Sequence, residues 1–94
     1  MRYIWDGEKA ETSLRIHEIA FEDAIQIFDG PTLERLDDRS DYPEMRWNAI
    51  GLANGRPVTV IYTDADDETG RIISAWKAEK HEQKAYLDAL KATD

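Results

Sequence analysis

The chain has 94 residues, no cysteine, 12 basic and 20 acidic side chains and a formal net charge of -8, with a pI of about 4.7. The missing thiols exclude disulfides and cysteine catalysis and fit a reducing cytoplasm, and the acidic balance argues against free, non-specific nucleic-acid binding, because phosphate neutralisation needs cations. With 41% hydrophobic residues and no apolar run of 18, the chain is expected to form one domain over 1–94 with one core and no membrane span.

Tyr3-Ile4-Trp5 predicts a short first strand, reaching the acid Asp6 before any leader-like apolar segment could form. Asp6 suits an N-cap, because its carboxylate can accept from the free amides of a first helical turn. Ala10, Ser13, Leu14 and His17 then recur at helical spacing on one face. His17, at the end of that helix, can pack inward or complement the C-terminal dipole. Phe21, Ala24, Ile25 and Phe28 share the face of a second helix, stopped by Gly30-Pro31. Residues 32–43 are polar and read mostly as an irregular edge, with Leu33 and Leu36 hinting at a short strand.

From Glu44 the period becomes two, and Asn54-Gly55 signals a two-residue hairpin, since both residues tolerate positive φ. That turn sets Trp47 opposite Tyr62 and Ala49 opposite Val60. One face then holds Met45, Trp47, Ala49, Val58, Val60 and Tyr62 and should receive the two N-terminal helices, with Phe21, Ile25 and Phe28 packing on Trp47 and Val60. The other holds Glu44, Arg46, Asn48, Ile50, Thr59, Ile61 and Thr63. A long acidic turn, 64–70, leads to a strand Arg71–Trp76, in which simple alternation groups Ser74 and Trp76 with Ile72. A last helix is expected from about Ala78 to Leu90, with Ala78, Glu82, Ala85, Tyr86 and Ala89 on one side.

Glu44 and Arg46, two apart on a strand, suit a general base beside a phosphate clamp, and equally a surface ion pair. Arg71 can bind phosphate bidentately or offset the acids before it. Trp76 can stack on a nucleobase or anchor a protein interface. Glu79, His81 and Glu82 lack a second histidine at i+4 and any cysteine, so they read as a solvated helix face and no metal or cofactor is expected.

Taken together, several motifs resemble the BrnT-like toxins of the RelE-type ribonuclease fold. They are Trp5-Asp6 with Lys9; His17, Phe21, Ala24 and Phe28 in order; Glu44-x-Arg46 followed by Gly51; and Arg71-Ile72-Ile73-Ser74-Ala75-Trp76-Lys77-Ala78 with Glu82 and Tyr86. The resemblance covers nearly the whole chain. It implies an α+β fold with a short N-terminal strand, two helices, an antiparallel meander and a C-terminal helix. It implies a toxin that cleaves mRNA without a metal, blocks translation, and is neutralised by a DNA-binding antitoxin of ribbon-helix-helix type. The net charge suits a basic partner, with DNA contacted only through it. By position the implied site groups are His17, Glu44, Arg46, Arg71 and Ser74 for catalysis, with Trp76, Lys77 and Tyr86 toward the RNA. The chain departs from the pattern at Ile16, where the family has Lys, at Glu18 for Gly, at Trp76 for Arg, and in its acidic surface. These departures keep a second expectation open: a catalytically weakened binding module on the same scaffold that pairs with a basic antitoxin-like protein.

Overall fold

Asn54 (φ 52°) and Gly55 (φ 76°) both take the left-handed backbone that a two-residue hairpin turn requires. The strands they join are in the expected register, Trp47 opposite Tyr62 and Ala49 opposite Val60. The computed structural model describes residues 1–39, 41 and 43–92; positions 40 and 42 of the polar segment, and 93–94, lie outside the described residues. Along the chain run β1 (Arg2–Trp5), α1 (Gly7–His17), α2 (Phe21–Ala24) continued by a 3-10 turn (Ile25–Asp29), β2 (Leu33–Leu36), β3 (Trp47–Ala53), β4 (Arg56–Asp66), β5 (Thr69–Lys77) and α3 (Lys80–Ala92). Among the described residues no helix is long and apolar enough to cross a membrane.

The five strands form one sheet in the order β1-β5-β4-β3-β2. β2 to β5 are an antiparallel meander, but β1 pairs with β5 in parallel, so the sheet is mixed. The segment from β1 to β2 crosses the whole sheet through α1 and α2, which leaves the outer edge of β5 for β1. The polar segment is more ordered than expected at its start, where Leu33 to Leu36 pair with Ile50 to Trp47 as a true edge strand.

One face of the sheet carries the main core, in which Phe21, Ala24, Ile27, Ala49, Val58, Val60, Ile72 and Ala75 are buried. Close approach there depends on Gly51: a Cβ at that position would sit 2.8 Å from Ile27 Cβ. Phe28 is only partly buried, stacked on Tyr3 and edge-on to Tyr62. Trp47, expected to receive Phe21, Ile25 and Phe28, is not part of the core cluster. That indole stays outside the core and donates to Asp64 Oδ2 at 3.2 Å. β3 starts at Trp47 rather than Glu44, so Met45 is 61% exposed and absent from the apolar face. Leu14 is likewise exposed, and Ser13 is the buried member of the inner face of α1.

α3 lies on the second face. It starts at Lys80, two residues later than expected, because Ala78 still donates to the Pro57 carbonyl in continuation of the sheet. The buried groups beneath α3 are Ile50, Ala78 and Tyr86. The acidic loop is shorter than expected: β4 runs to Asp66 and β5 begins at Thr69, with Asp66 Oδ1 accepting from the Glu68 amide at 2.8 Å.

Candidate functional site

Alternation in β5 fails at one point. Ser74 pairs with Ile61 and Ile72 with Tyr62, so Ile73 has no partner and the strand carries a β-bulge. The expectation that Ser74 and Trp76 share a face with Ile72 is therefore wrong. Ile72 and Ala75 enter the core, while Ile73, Ser74 and Trp76 line the second face. The bulge falls where β1 ends, its last pair being Trp5 with Ile72. Beyond that point α1 takes over the edge, and Ser13 Oγ donates to the Ala75 carbonyl at 3.2 Å.

α3 covers only one end of the second face. The remainder opens as a cleft of about 610 Å³. The end of α1 contributes Ile16 and His17, the β2–β3 connection Arg39 and Arg46, and β4 contributes Ile61. From β5 come Ile73, Ser74, Trp76 and Lys77, with Glu79 at the rim. Of the residues singled out in sequence, His17, Arg46, Ser74, Trp76 and Lys77 are thus brought together. Glu44 and Arg71 line an adjoining depression with Lys9, Thr63 and Asp64, joined to the cleft through Ile73. Glu44 remains tied to the cleft, because its Oε1 accepts from Arg46 Nε at 3.2 Å. Tyr86 is not at the site. It is 1% exposed beneath α3, and its hydroxyl donates to the Pro31 carbonyl at 2.9 Å. Helical spacing on α3 marked it correctly as inward-facing; the packing surface it faces is Ile50.

Trp76 sits at the centre of a fixed arrangement. Its Nε1 donates to Glu82 Oε1 at 3.0 Å. The same oxygen accepts from the Glu79 amide at 2.8 Å, the reach-back of a capping box at the start of α3. The other oxygen accepts from Thr59 Oγ1 at 3.0 Å. His17 lies against the indole at 6.0 Å between ring centroids, and the Arg39 guanidinium lies over it at 5.5 Å. Arg39 was not singled out in sequence, because it sits in a segment without periodicity. Its signal was chemical: an arginine two residues after an aspartate, able to close on it in a bidentate pair. Asp37 does hold it so, at 2.7 and 3.0 Å. His81 and Glu79 form an exposed pair at 3.6 Å, while Glu82 faces inward, and among the described residues no cluster of potential metal ligands occurs.

His17 owes its place to the way α1 ends. Glu18 adopts a left-handed φ of 60° and its amide donates to Leu14 O at 2.9 Å, the closing turn that glycine usually makes. At the far end of the sheet the aromatic and acidic groups interact differently. Tyr62 Oη donates to Glu34, and burial, that hydrogen bond and the nearby carboxylates hold the phenol well above its ordinary value of 10.0. Burial, then Glu34 and Asp29, raises Tyr3 as well.

The fold and the cleft define a class: a small α+β domain that gathers arginine, lysine and histidine into one groove on an otherwise acidic body. The model of the ribonuclease toxin BrnT, of type II toxin–antitoxin systems, matches residues 5–82, and the chain belongs to that family. Its members are the toxin half of a toxin–antitoxin pair. Among solved structures, the 1.1 Å crystal structure of the Brucella abortus ribonuclease toxin BrnT is similar, with a TM-score of 0.65 and 27% identity over 85% of this chain and 99% of that one. No curated protein matches.

Proposed function

We propose that this chain, as one domain on a RelE-type scaffold, cleaves mRNA in the cytoplasm without a metal and so blocks translation until an antitoxin binds it. The observation that supports this reading is the convergence of His17, Arg46, Ser74 and Lys77 beside Trp76 in one open cleft. RNA carries its own nucleophile. The 2′-hydroxyl attacks the neighbouring phosphorus, the bond to the 5′-oxygen breaks, and a 2′,3′-cyclic phosphate and a 5′-hydroxyl result. The reaction needs a proton acceptor, a cation for the phosphorane charge and a proton donor for the leaving oxygen. Arg46 supplies the cation. In this reading Glu44, paired with it, takes the 2′ proton and His17 returns one, a role suited to imidazole. Ser74 hydrogen-bonds a phosphate oxygen, and Lys77 and Trp76 hold the flanking backbone and base. Arg71 and Lys9 continue the track in the adjoining depression, while Tyr86 acts only by seating α3.

The test is incubation of the purified chain with RNA, with and without a chelator. Cleavage that the chelator leaves unchanged is expected. Arg46→Ala should lower the rate by about 10²–10³, the usual cost of one preorganised charge-stabilising contact. Full activity in that variant would remove Arg46 from the site.

One observation favours a second reading, a weakened module that only binds its partner. Arg46 is paired with Glu44 and Arg39 with Asp37, so each guanidinium of the cleft meets a carboxylate. A wild-type chain that leaves RNA intact yet captures an antitoxin would establish it. On either reading the partner is a basic, ribbon-helix-helix-type protein that carries the DNA contacts. The acidic end around Asp64, Asp66 and Asp67 steers its association and Trp76 slows its release. If neither Trp76→Ala nor neutralisation of those three aspartates alters the two rates, that surface is not the interface.

A further inference from the structure

We propose that Arg39 is a substrate-binding residue of the cleft, contacting a backbone phosphate of single-stranded RNA, and that Asp37 and Trp76 are the residues that position it. This rests on the reading of the cleft as an RNA site.

Arg39 belongs to the connection between β2 and β3, yet that connection brings it onto the second face of the sheet, where it lines the cleft with His17, Arg46 and Lys77. Its anchor is unusual for a loop. The Asp37 side chain is 2% exposed, while that of Arg39 is 57% exposed. The Asp37 amide donates to the Arg46 carbonyl at 2.7 Å, which ties the two ends of the connection together just ahead of β3. Its carboxylate then takes Arg39 through Nε at 2.7 Å and Nη2 at 3.0 Å. Burying a carboxylate beside a cation is by itself a poor route to stability, because desolvation offsets the attraction. What the arrangement does achieve is orientation. Two parallel hydrogen bonds lock the plane of the guanidinium, and the indole of Trp76, 5.5 Å from Cζ, backs it. The indole is itself immobilised through Glu82. A side chain that would otherwise sweep freely from a loop is held at the mouth of a cationic groove. A planar, fixed guanidinium is the group that matches the paired oxygens of a phosphodiester. Because it is held in one orientation at the mouth of the cleft, Arg39 suits binding and register of the strand, while charge at the reacting phosphorus is met by Arg46.

The experiment measures binding of a short single-stranded RNA in which the 2′-hydroxyl at every position is methylated, so that it has no nucleophile and cannot be cleaved. Affinity is followed across a salt series for the wild type, Arg39→Gln, Arg39→Lys and the double variant Asp37→Asn/Arg39→Gln, which leaves no buried carboxylate alone. Loss of one single-strand phosphate contact lowers the salt slope by about 0.7, or at least about fourfold in Kd near physiological salt. We expect that loss in Arg39→Gln and in the double variant, and partial recovery in Arg39→Lys, which keeps charge without the fork. Asp37→Asn alone should weaken binding while Arg39 is still present, an effect that a merely structural pair would show in thermal stability but not in Kd. Unchanged Kd and slope in both Arg39→Gln and the double variant, with the wild type binding, would overturn the proposal and leave the ribonuclease reading standing. No binding by the wild type would overturn both.

Discussion

Replacing Glu82 with alanine removes the acceptor for three donors at once: Thr59 Oγ1, Trp76 Nε1 and the Glu79 amide. The three are not equally exposed. Thr59 is fully buried, so its hydroxyl is left without water, and an orphaned buried donor costs about 1–3 kcal/mol. The Trp76 and Glu79 donors lie at the cleft rim and can turn to solvent, but loss of the cap at the start of α3 adds about 0.5–2 kcal/mol. The sum is about 1.5–5 kcal/mol, which in a chain of this size lowers Tm by about 8–25 °C. Glu82→Gln separates geometry from charge. A glutamine oxygen at the Oε1 position keeps the bonds to Trp76 and Glu79, and its NH2 group can donate to Thr59, whose hydroxyl rotates to accept. Its cost should stay below about 1 kcal/mol. Urea denaturation followed by tryptophan fluorescence measures both variants. A glutamine variant as unstable as the alanine one would show that charge, not the hydrogen-bond geometry, holds α3 to the sheet.

Phe21→Ala should cost about 3–5 kcal/mol, because Phe21 is fully buried, whereas half-buried Phe28 should cost clearly less on truncation; denaturant midpoints that reverse this order would misplace the second helix. Glu18→Gly should raise stability by about 0.5–1 kcal/mol, since a left-handed residue with a Cβ carries a penalty of about 1–2 kcal/mol that the extra unfolded-state freedom of glycine only partly offsets; thermal melts check it, and a loss of stability would contradict the strained cap. The raised pKa of Tyr62 favours the protonated folded state, so its stabilising contribution is complete below the unfolded value near 10 and is lost as pH rises above it. Between pH 9 and roughly 11 the unfolding midpoint of the wild type should therefore fall more steeply than that of Tyr62→Phe, and parallel curves would show that the phenol is not coupled to folding.

The hairpin was legible because two independent signals agreed, strict alternation on both sides and a turn dipeptide that tolerates positive φ. The N-cap at Asp6 and the stop at Gly30-Pro31 were legible for the same local reason. What escaped was non-local. The bulge at Ile73 reflects β1 handing the edge of β5 to α1, and alternation counted along one strand carries no trace of that exchange. It matters for the site, because the bulge lets Arg71 and Ser74, three residues apart, both reach the second face. Tyr86 had the right spacing and the wrong surroundings: a face of a helix is visible in sequence, but whether it meets core or cleft depends on where the helix lands. Asp37 and Arg39 could be seen as charges but not as a pair, since nothing in a polar loop distinguishes the buried carboxylate from the exposed ones beside it.

The two outermost strands, β1 and β2, are four residues each, while the 11-residue β4 and 9-residue β5 lie inside the sheet. The stretch of β5 that β1 does not reach is screened by α1 through Ser13. Strand edges are where like molecules template one another into aggregates, and brevity blunts them. The domain therefore keeps its strongest pairing surfaces away from other copies of itself. Lengthening either outer strand by a few apolar residues would lower the soluble yield while leaving the cleft chemistry untouched.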